Sequence, residues 1–300
     1  MTLTAFFLIL VSAFLHAGWN FISKKSVPSL AFYSLSCGTA ALLWLLPFLA
    51  SDFSCARMSG RFWLLTGTSI FFEILYVAGL AYSYRLSDIS LVYPLARALP
   101  LLLTAAVTAV FNLGSRQMGP QELLGMGIVF CGCLMMPLQR FRDFRLSSYC
   151  NIVIVFILLA AIGTTGYTVV DSVAMAEIQA VYQRQSITLS IAYLFFIEAG
   201  IALGTGLLAV CRRSERQEFS RLVRLKSPFL TGICSSSAYV LILLSMNFVS
   251  NVCYVQAFRQ ISLPLGVLAG ILILKESHGL PKILGTTLIV LGLLLVAFAS

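Results

Sequence analysis

Charged side chains are scarce in this chain of 300 residues. They make up 10% of it, whereas 59% of the residues are apolar. Soluble domains carry about 25% charged residues, so a water-soluble fold of this size would lack the polar side chains that cover a surface. The composition therefore excludes a soluble globular enzyme, a disordered chain and a fibrous repeat. It predicts an integral membrane protein.

Recognisable catalytic and metal-binding motifs are also missing. The sequence has no Gly-rich phosphate loop, no HExxH helix and no Ser/His/Asp set in plausible register. The eight cysteines contain no CxxC pair, and Cys131 and Cys133, two residues apart, would not share a helix face. We therefore predict that the protein is not an enzyme and needs neither a metal ion nor another cofactor.

Ten apolar segments occupy almost all of the chain. A helix of about 20 apolar residues spans a bilayer, and a barrel strand would be about half that long. The sequence thus predicts an all-α membrane protein, with breaks at Gly119–Pro120 and at Gly279 with Pro281. The ten predicted spans, numbered in chain order, are residues 3–22, 30–50, 62–83, 89–111, 120–138, 152–172, 187–210, 229–249, 252–274 and 280–299.

The basic residues between the spans are distributed unequally, which predicts the orientation of the chain. Of the 20 Lys and Arg residues, fourteen lie in odd-numbered loops and four in even-numbered loops, namely Arg57, Arg61, Arg116 and Arg184. The protein is then predicted to lie in the cell (inner) membrane, and the positive-inside rule places the odd loops in the cytoplasm and both termini on the outer side. The net charge of +9 is therefore a topology signal, and we predict no nucleic-acid partner. The basic loop from Arg212 to Lys226 is expected to lie against anionic lipid.

A weak internal repeat links the two halves of the chain. At an offset of 162, Arg97 in span 4 falls on Arg259 in span 9. At an offset of 160, glycines of span 5 fall on glycines of span 10, Gly125 on Gly285 and Gly132 on Gly292. With five spans in each half, the halves point in opposite directions, which predicts inverted five-helix repeats over residues 1–146 and 147–300. Together they would form one transmembrane domain, with the substrate site near the midplane.

The remaining two basic residues, Arg97 and Arg259, lie near the centres of their predicted spans. Inserting an arginine there costs at least about 2.5–3.5 kcal/mol, and the group cannot deprotonate, so each needs a partner or a water-filled cavity. A planar guanidinium suits a carboxylate or phosphate, which predicts a pair of anion clamps facing a central cavity. The alternative is an internal salt bridge to Glu73 or Glu198, which also lie near mid-depth. Those glutamates could instead couple transport to protons.

Other side chains are candidates for lining or shaping the same cavity. Pro94 and Pro100 flank Arg97 at three residues on either side and are expected to kink span 4, which frees backbone carbonyls. Asp171 is expected to be solvated at the outer end of span 6. The aromatic and polar candidates for the lining are Trp19, Tyr93, Tyr167, Tyr239, Tyr254, His16 and Asn20.

Two segments resemble a known family. His16–Asn20 followed by Ser23–Lys25, and the continuous segment Asp88–Pro100, are similar to EamA-type members of the drug/metabolite transporter superfamily. The counterparts in the second half are Tyr167–Asp171, Arg259 and Lys275–Glu276 followed by Gly285. The resemblance covers essentially the whole chain and implies ten helices in two inverted repeats, which move small metabolites through a central cavity. The chain departs from the family at Gly114–Ser115, where a Gly-Glu pair is often found.

We therefore predict a secondary-active transporter of small organic metabolites, such as amino acids or organic anions, which works by alternating access and is expected to export them. Arg97 is the first candidate for contacting an anionic group, and Arg259 is its symmetric counterpart. An uncoupled facilitator or channel, and a non-transporting scaffold or receptor, remain alternatives. The predicted partners are the small-molecule solute and the lipid bilayer, with proton coupling and a monomeric or homodimeric state as further expectations.

Overall fold

The computed structural model describes residues 2–23, 29–87, 89–136, 138, 140–143, 152–272 and 279–299. Within these residues the chain forms twelve α-helices and contains no β-strand. The helices are α1 (Leu3–Ser23), α2 (Leu30–Leu49), α3 (Gly60–Leu86), α4 (Ile89–Val110), α5 (Pro120–Met135), α6 (Ile152–Tyr182), α7 (Ile187–Val210), α8 (Arg213–Leu222), α9 (Ser227–Met246), α10 (Val252–Phe258), α11 (Ser262–Leu272) and α12 (Leu280–Ala299). A 3-10 turn, Arg259–Ile261, joins α10 directly to α11.

Local sequence signals explain where several helices begin. The side chains of Ser29, Ser59, Ser186 and Asn251 cap α2, α3, α7 and α10 by accepting a backbone N–H of the first turn. Pro120 opens α5, where its missing N–H would be unpaired in any case. The helix starts predicted at Gly119–Pro120 and beside Gly279 are therefore confirmed.

Three features differ from the predicted spans. α6 continues to Tyr182, ten residues beyond the predicted end of span 6 at residue 172. The basic loop between spans 7 and 8 contains a helix of its own, α8. Span 9 is interrupted by the 3-10 turn at Arg259, whereas α4 continues through both Pro94 and Pro100. The α-helix is therefore interrupted in span 9, whereas the helix of span 4 extends past both prolines.

Six of the described helices are long and apolar enough to cross a membrane, namely α2, α3, α6, α7, α9 and α12. Shorter apolar helices cover Leu3–Trp19, Pro94–Val110 and Pro120–Met135. Large apolar side chains such as Leu42 and Leu203 are 73% and 70% exposed, while many serines and threonines are buried. So many exposed large apolar side chains, together with the six long apolar helices, indicate a membrane-embedded helical bundle.

Glycines bring pairs of helices to backbone contact. Where α5 crosses the antiparallel α12, a Cβ on Gly125 would lie 2.8 Å from the carbonyl oxygen of Gly292. At the second contact of the same pair, a Cβ on Gly132 would lie 2.6 Å from the carbonyl oxygen of Gly285. Gly79 of α3 approaches the backbone of α6 in the same way. Small residues permit the close approach on which transmembrane helix packing depends.

The even-numbered loops and the chain ends meet at one end of the bundle. Hydrogen bonds there join Thr2 to Phe248, Ser115 to Ser250, and Arg116 to Ala299. The opposite end carries α8, whose Glu215 accepts the backbone N–H of Ala31 at the start of α2. The loops that the sequence assigns to one side are thus together, and the helices between them run alternately up and down.

Candidate functional site

A cavity of about 100 Å³ lies inside the bundle, between α1, α2, α3, α4, α6, α7, α9 and the 3-10 turn. A polar cavity needs a volume of about 10–15 Å³ to hold one water molecule, so this cavity has room for several. Eight of the candidate residues line it, namely His16, Trp19, Glu73, Arg97, Tyr167, Glu198, Tyr239 and Arg259. The structure thus brings together both central arginines and both mid-depth glutamates.

Arg97 stands on α4 and reaches across to the interruption of span 9. Its Nη2 donates to the carbonyl oxygen of Arg259 at 3.1 Å and to Oγ of Ser262 at 2.7 Å. The amide of Gln260 donates in return to the carbonyl oxygen of Arg97 at 3.1 Å. Where α-helical bonding stops, backbone carbonyls lose their partners in the helix. The 3-10 turn therefore supplies part of the hydrogen bonding that a buried arginine requires.

Arg259 begins that turn and is surrounded by tyrosines. Its Nη2 donates to the hydroxyl of Tyr167 at 3.4 Å. Its Cζ lies 6.0 Å from the ring centroid of Tyr167 and 5.6 Å from that of Tyr239. Cation–π contacts of this kind stabilise a guanidinium that has been removed from water.

Neither arginine forms an ion pair with a carboxylate among the described residues, although Glu73 and Glu198 line the same cavity. The internal salt bridge considered from the sequence is therefore not among the ion pairs of the described residues. Nε of Arg97 and Nη1 of Arg259 are buried donors without a hydrogen-bond partner in the described structure. A buried donor left unsatisfied costs about 1–3 kcal/mol, and more when it is charged. Both arginines that line the cavity thus keep unused hydrogen-bonding capacity.

The two glutamates stand on different helices, Glu73 on α3 and Glu198 on α7, and are 8% and 7% exposed. Cys37 of α2 lines the same cavity. Their carboxylates add acceptors and negative charge to a cavity that also contains the two arginines. The lining therefore carries charged groups of both signs.

His16 and Trp19 lie one turn apart on α1 and contact each other directly. Nε1 of Trp19 donates to Nδ1 of His16 at 3.0 Å, and the two rings meet edge to face at 5.0 Å. Accepting through Nδ1 leaves the other ring nitrogen of His16 to carry a proton. The pair forms the wall of the cavity on the side of α1.

Three other candidates are not seen at the cavity. Tyr254 is fully buried, but it does not line the cavity, because its hydroxyl donates to Oε1 of Glu122 at 3.2 Å. Five residues separate it from Arg259, and at 3.6 residues per turn that spacing puts the two on nearly opposite sides of a helix. The prediction of a substrate contact for Tyr254 is therefore corrected. Asn20 and Tyr93 stand on α1 and α4, but their side chains lie outside the described residues.

Asp171 differs most from its expected position. It is 0% exposed, although the sequence predicted a solvated position at a helix end. Its carboxylate accepts hydrogen bonds from the hydroxyls of Ser69, Tyr193 and Tyr239. The extra length of α6 explains the error, since the helix continues for eleven residues beyond Asp171. A signal was present, because Asp171 follows Tyr167 by four residues and therefore shares its helix face.

Tyr33 and Tyr76 also line the cavity and were not predicted. Tyr76 follows Glu73 by three residues on α3 and therefore shares its helix face, so it could have been predicted from the position of that glutamate. Tyr33 lies near the start of α2, and no nearby candidate pointed to it. Tyrosines from several helices thus make the lining more aromatic than expected.

Comparisons with known proteins identify the fold but not the family. No family model and no curated protein matches this chain. Among solved structures, 27 chains match. One of them, described only as "Crystal structure of protein", is similar with a TM-score of 0.71 over 99% of this chain and 98% of its own, at 15% identity. At this identity the similarity establishes a shared fold over the full length of both chains, and nothing about activity.

Proposed function

We propose that this protein is a secondary-active transporter of small organic anions or zwitterions, such as amino acids, and that the central cavity is its substrate site. One observation carries the proposal. Arg97 and Arg259 line the same cavity, and among the described residues neither is paired with a carboxylate and each keeps a buried donor without a partner. A carboxylate on a solute would satisfy those donors with charge-assisted hydrogen bonds, which are stronger than neutral ones.

The glutamates in the lining suggest which solutes fit. An amino acid carries a carboxylate for the arginines and an ammonium for Glu73 or Glu198. A simple organic acid would use the arginines alone. The same glutamates could instead exchange protons with the cavity, as ionisable groups in transporters commonly do. Both roles follow from the mixed charge of the lining.

Alternating access by two inverted halves, residues 1–146 and 147–300, is part of the proposal, and the helix packing supports it. α1 to α7 correspond to spans 1 to 7, α9 to span 8, α10 with α11 to span 9, and α12 to span 10. α3 packs against α6, and α1 packs against α9. Exchanging each span for the one five places away turns spans 3 and 6 into spans 8 and 1, so the first pair becomes the second. Likewise, α2 packs against α7 and α5 against α12, and each of these pairs maps onto itself.

The glycine contacts obey the same relation in detail. The offset of 160 makes Gly125 equivalent to Gly285 and Gly132 equivalent to Gly292. This exchange converts the contact between Gly125 and Gly292 into the contact between Gly285 and Gly132, and both contacts are present. An approximate two-fold axis in the membrane plane, as in inverted-repeat transporters, would produce this pattern.

The resemblance of Asp88–Pro100 to EamA-type transporters supports the same function and is part of the proposal. The uneven distribution of Lys and Arg leads us to propose a cell-membrane location with both termini outside. An alkaline phosphatase fused to the C-terminus should then be active, and an inactive fusion would contradict this orientation.

The function can be tested with purified protein in proteoliposomes, using a panel of radiolabelled amino acids and organic acids. We expect uphill accumulation of at least one anionic or zwitterionic solute when an ion gradient is imposed. Arg97→Ala should abolish that movement. Arg61→Ala, an exposed arginine at the start of α3, is the matched control and should transport normally.

The alternatives give different results in the same assay. Movement only down a solute gradient would support an uncoupled facilitator or channel. No flux of any solute would support a scaffold or receptor. Transport of an anionic solute by Arg97→Ala at the wild-type rate would disprove the role of the arginine.

A further inference from the structure

Asp171 is a buried carboxylate to which the proposed substrate site assigns no role. It is 0% exposed and stands eleven residues before the end of α6, about 16 Å along the helix axis. It forms no ion pair within the described structure. Its hydrogen-bond partners are all neutral hydroxyls, those of Ser69, Tyr193 and Tyr239. An acidic group held in this way inside a membrane bundle is costly when ionised, and such groups commonly serve as proton relays.

The two oxygens of the Asp171 carboxylate have different surroundings. Oδ1 accepts from Ser69 and from Tyr193, at 2.7 Å for the tyrosine, and both of these side chains are 0% exposed. Oδ2 accepts from Tyr239, which is only partly buried and lines the cavity. The Tyr239 side chain therefore contacts both the enclosed carboxylate and the space proposed for the substrate.

We propose that Asp171 is a proton-binding site and that the Tyr239 hydroxyl carries the proton between Asp171 and the cavity. The hydroxyl oxygen of Tyr239 takes a proton from a hydronium ion in the cavity, which becomes water, while its own hydroxyl proton passes to Oδ2. Tyr239 has the same atoms before and after the transfer, and Asp171 becomes a neutral acid. The new Oδ2–H then donates to Tyr239, whose O–H turns towards the cavity.

Few charged groups surround this site. Among the described residues, the charged and titratable side chains that interact with Asp171 are Glu73 of α3, Tyr193 of α7, Tyr239 of α9 and Arg259 of the 3-10 turn. On α4, Arg97 directs its guanidinium to Ser262 instead, and on α10 Tyr254 directs its hydroxyl to Glu122. Arg259 is thus the cation whose positive charge is no longer offset by Asp171 once Asp171 has taken up a proton.

The consequence for transport rests on the proposed function. Neutral Asp171 no longer offsets the positive charge of Arg259, so an anion in the cavity binds more tightly. By thermodynamic linkage the bound anion also favours the protonated form of Asp171. Proton and anion therefore move together in the same direction. An inward proton gradient would then drive uptake, which is opposite to the export expected from the sequence.

Infrared difference spectroscopy of the purified full-length protein, recorded between acidic and neutral pH, tests the proton site without any substrate. A protonated carboxylic acid has a carbonyl band distinct from that of a carboxylate. We expect such a band in the wild-type protein, its loss in Asp171→Asn, and its retention in Glu73→Gln. A spectrum of Asp171→Asn that keeps the whole band would overturn the proposal.

The kinetics of proton uptake after a rapid pH jump test the route, and here Asp171 stays intact. Tyr239→Phe and Tyr193→Phe each remove one hydroxyl from Asp171, but only Tyr239 reaches the cavity. We expect uptake by Asp171 to slow about tenfold or more in Tyr239→Phe and to be nearly unchanged in Tyr193→Phe. Equal rates in the two variants would show that Tyr239 is an ordinary hydrogen-bond donor.

Transport by the variants then tests coupling, using the solute that the wild-type protein accumulates most strongly. Asp171→Asn should move this solute down its gradient and fail to concentrate it under a proton gradient. Accumulation by Asp171→Asn equal to that of the wild type would refute coupling at this site. If the wild-type protein moves no solute, the transporter proposal fails, while the infrared and kinetic results still decide whether Asp171 exchanges a proton through Tyr239.

Discussion

Buried charges at the two ends of the bundle are paired, whereas the arginines at its centre are not. At one end, Oε1 of Glu122 lies 2.8 Å from Nη2 of Arg116. At the other end, Oε1 of Glu215 lies 2.5 Å from Nη2 of Arg85. Both carboxylates are almost completely buried, with 2% and 1% of the side chain exposed. The central arginines are also mostly buried, and their guanidinium groups donate to carbonyl and hydroxyl oxygens, with no ion pair among the described residues.

The paired ends show how this chain stabilises a charge when stability alone is required. Glu215 also accepts the N–H of Ala31, and Glu122 also accepts the Tyr254 hydroxyl, so each carboxylate joins several elements. Carboxylates were available at the centre as well, yet within the described structure Glu73 and Glu198 form no ion pair with the arginines. A fold that leaves such groups unsatisfied does so at functional sites more often than elsewhere. The difference between centre and ends therefore supports a ligand site at the centre.

The largest effect is expected when the centre is given an ion pair like those at the ends. Oγ of Ser262 lies 2.7 Å from Nη2 of Arg97, so Ser262→Asp would place a carboxylate against the guanidinium. We expect anion transport to fall about 100-fold. The new carboxylate would bind the Arg97 guanidinium in place of the solute, which would lose about 2.7 kcal/mol of charge-assisted binding. Initial transport rates in proteoliposomes measure the effect. Ser262→Asn has the same size without the charge and should keep transport within a few-fold, and an active Ser262→Asp would contradict the anion clamp.

The reverse change removes a pair from one end. Glu215→Ala leaves Arg85 without its carboxylate and Ala31 without its acceptor. We expect a loss of about 2 kcal/mol in the free energy of unfolding, near the lower end for buried pairs because Arg85 remains 31% exposed. Unfolding of the purified protein in denaturant measures the loss. Glu218→Ala on the same helix is the control and should change stability by less than about 0.5 kcal/mol, and equal losses would remove the special role of Glu215.

The helices were predictable because apolar length and turn residues determine most of their limits. Spans 7 and 10 coincide with α7 and α12, residues 187–210 and 280–299. The errors arise where a polar residue was treated as a boundary or a continuous apolar run as one helix. Asp171 suggested an end to span 6, although hydroxyls from three other helices satisfy it inside the bundle. The 3-10 turn at Arg259 depends on contacts with α4, which a single span does not contain.

The site was predictable to the extent that charge inside an apolar segment is rare. Arg97, Arg259, Glu73 and Glu198 were selected on that ground, and the structure places all four on one cavity. Which partners they use could not be predicted, because pairing depends on how helices rotate against each other. Tyr254 illustrates this, since the side of α10 on which it lies faces Glu122.

The contact between α5 and α12 offers a similar contrast between two positions that carry no charge. A Cβ on Gly132 would lie 2.6 Å from a backbone carbonyl oxygen, whereas nothing lies within 4 Å of a Cβ on Gly127 of the same helix. We expect Gly132→Ala to lower the free energy of unfolding by about 1–2 kcal/mol, because the two backbones must separate. Gly127→Ala should be neutral or slightly stabilising. Thermal unfolding of both variants measures the difference, and equal melting temperatures would mean that the helices can move apart at no cost.

The smallest expected effect separates two tyrosines that the sequence placed in one group. Tyr254→Phe removes one hydrogen bond to Glu122, and we expect a loss of about 1 kcal/mol in the free energy of unfolding with unchanged solute affinity. Tyr167→Phe removes the hydroxyl that Arg259 contacts at 3.4 Å, so it should alter solute affinity while stability changes little. Denaturant unfolding and the concentration dependence of uptake measure the two quantities on the same preparations. If Tyr254→Phe weakened solute binding as much as Tyr167→Phe did, the boundary drawn here between a structural end and a functional centre would be in the wrong place.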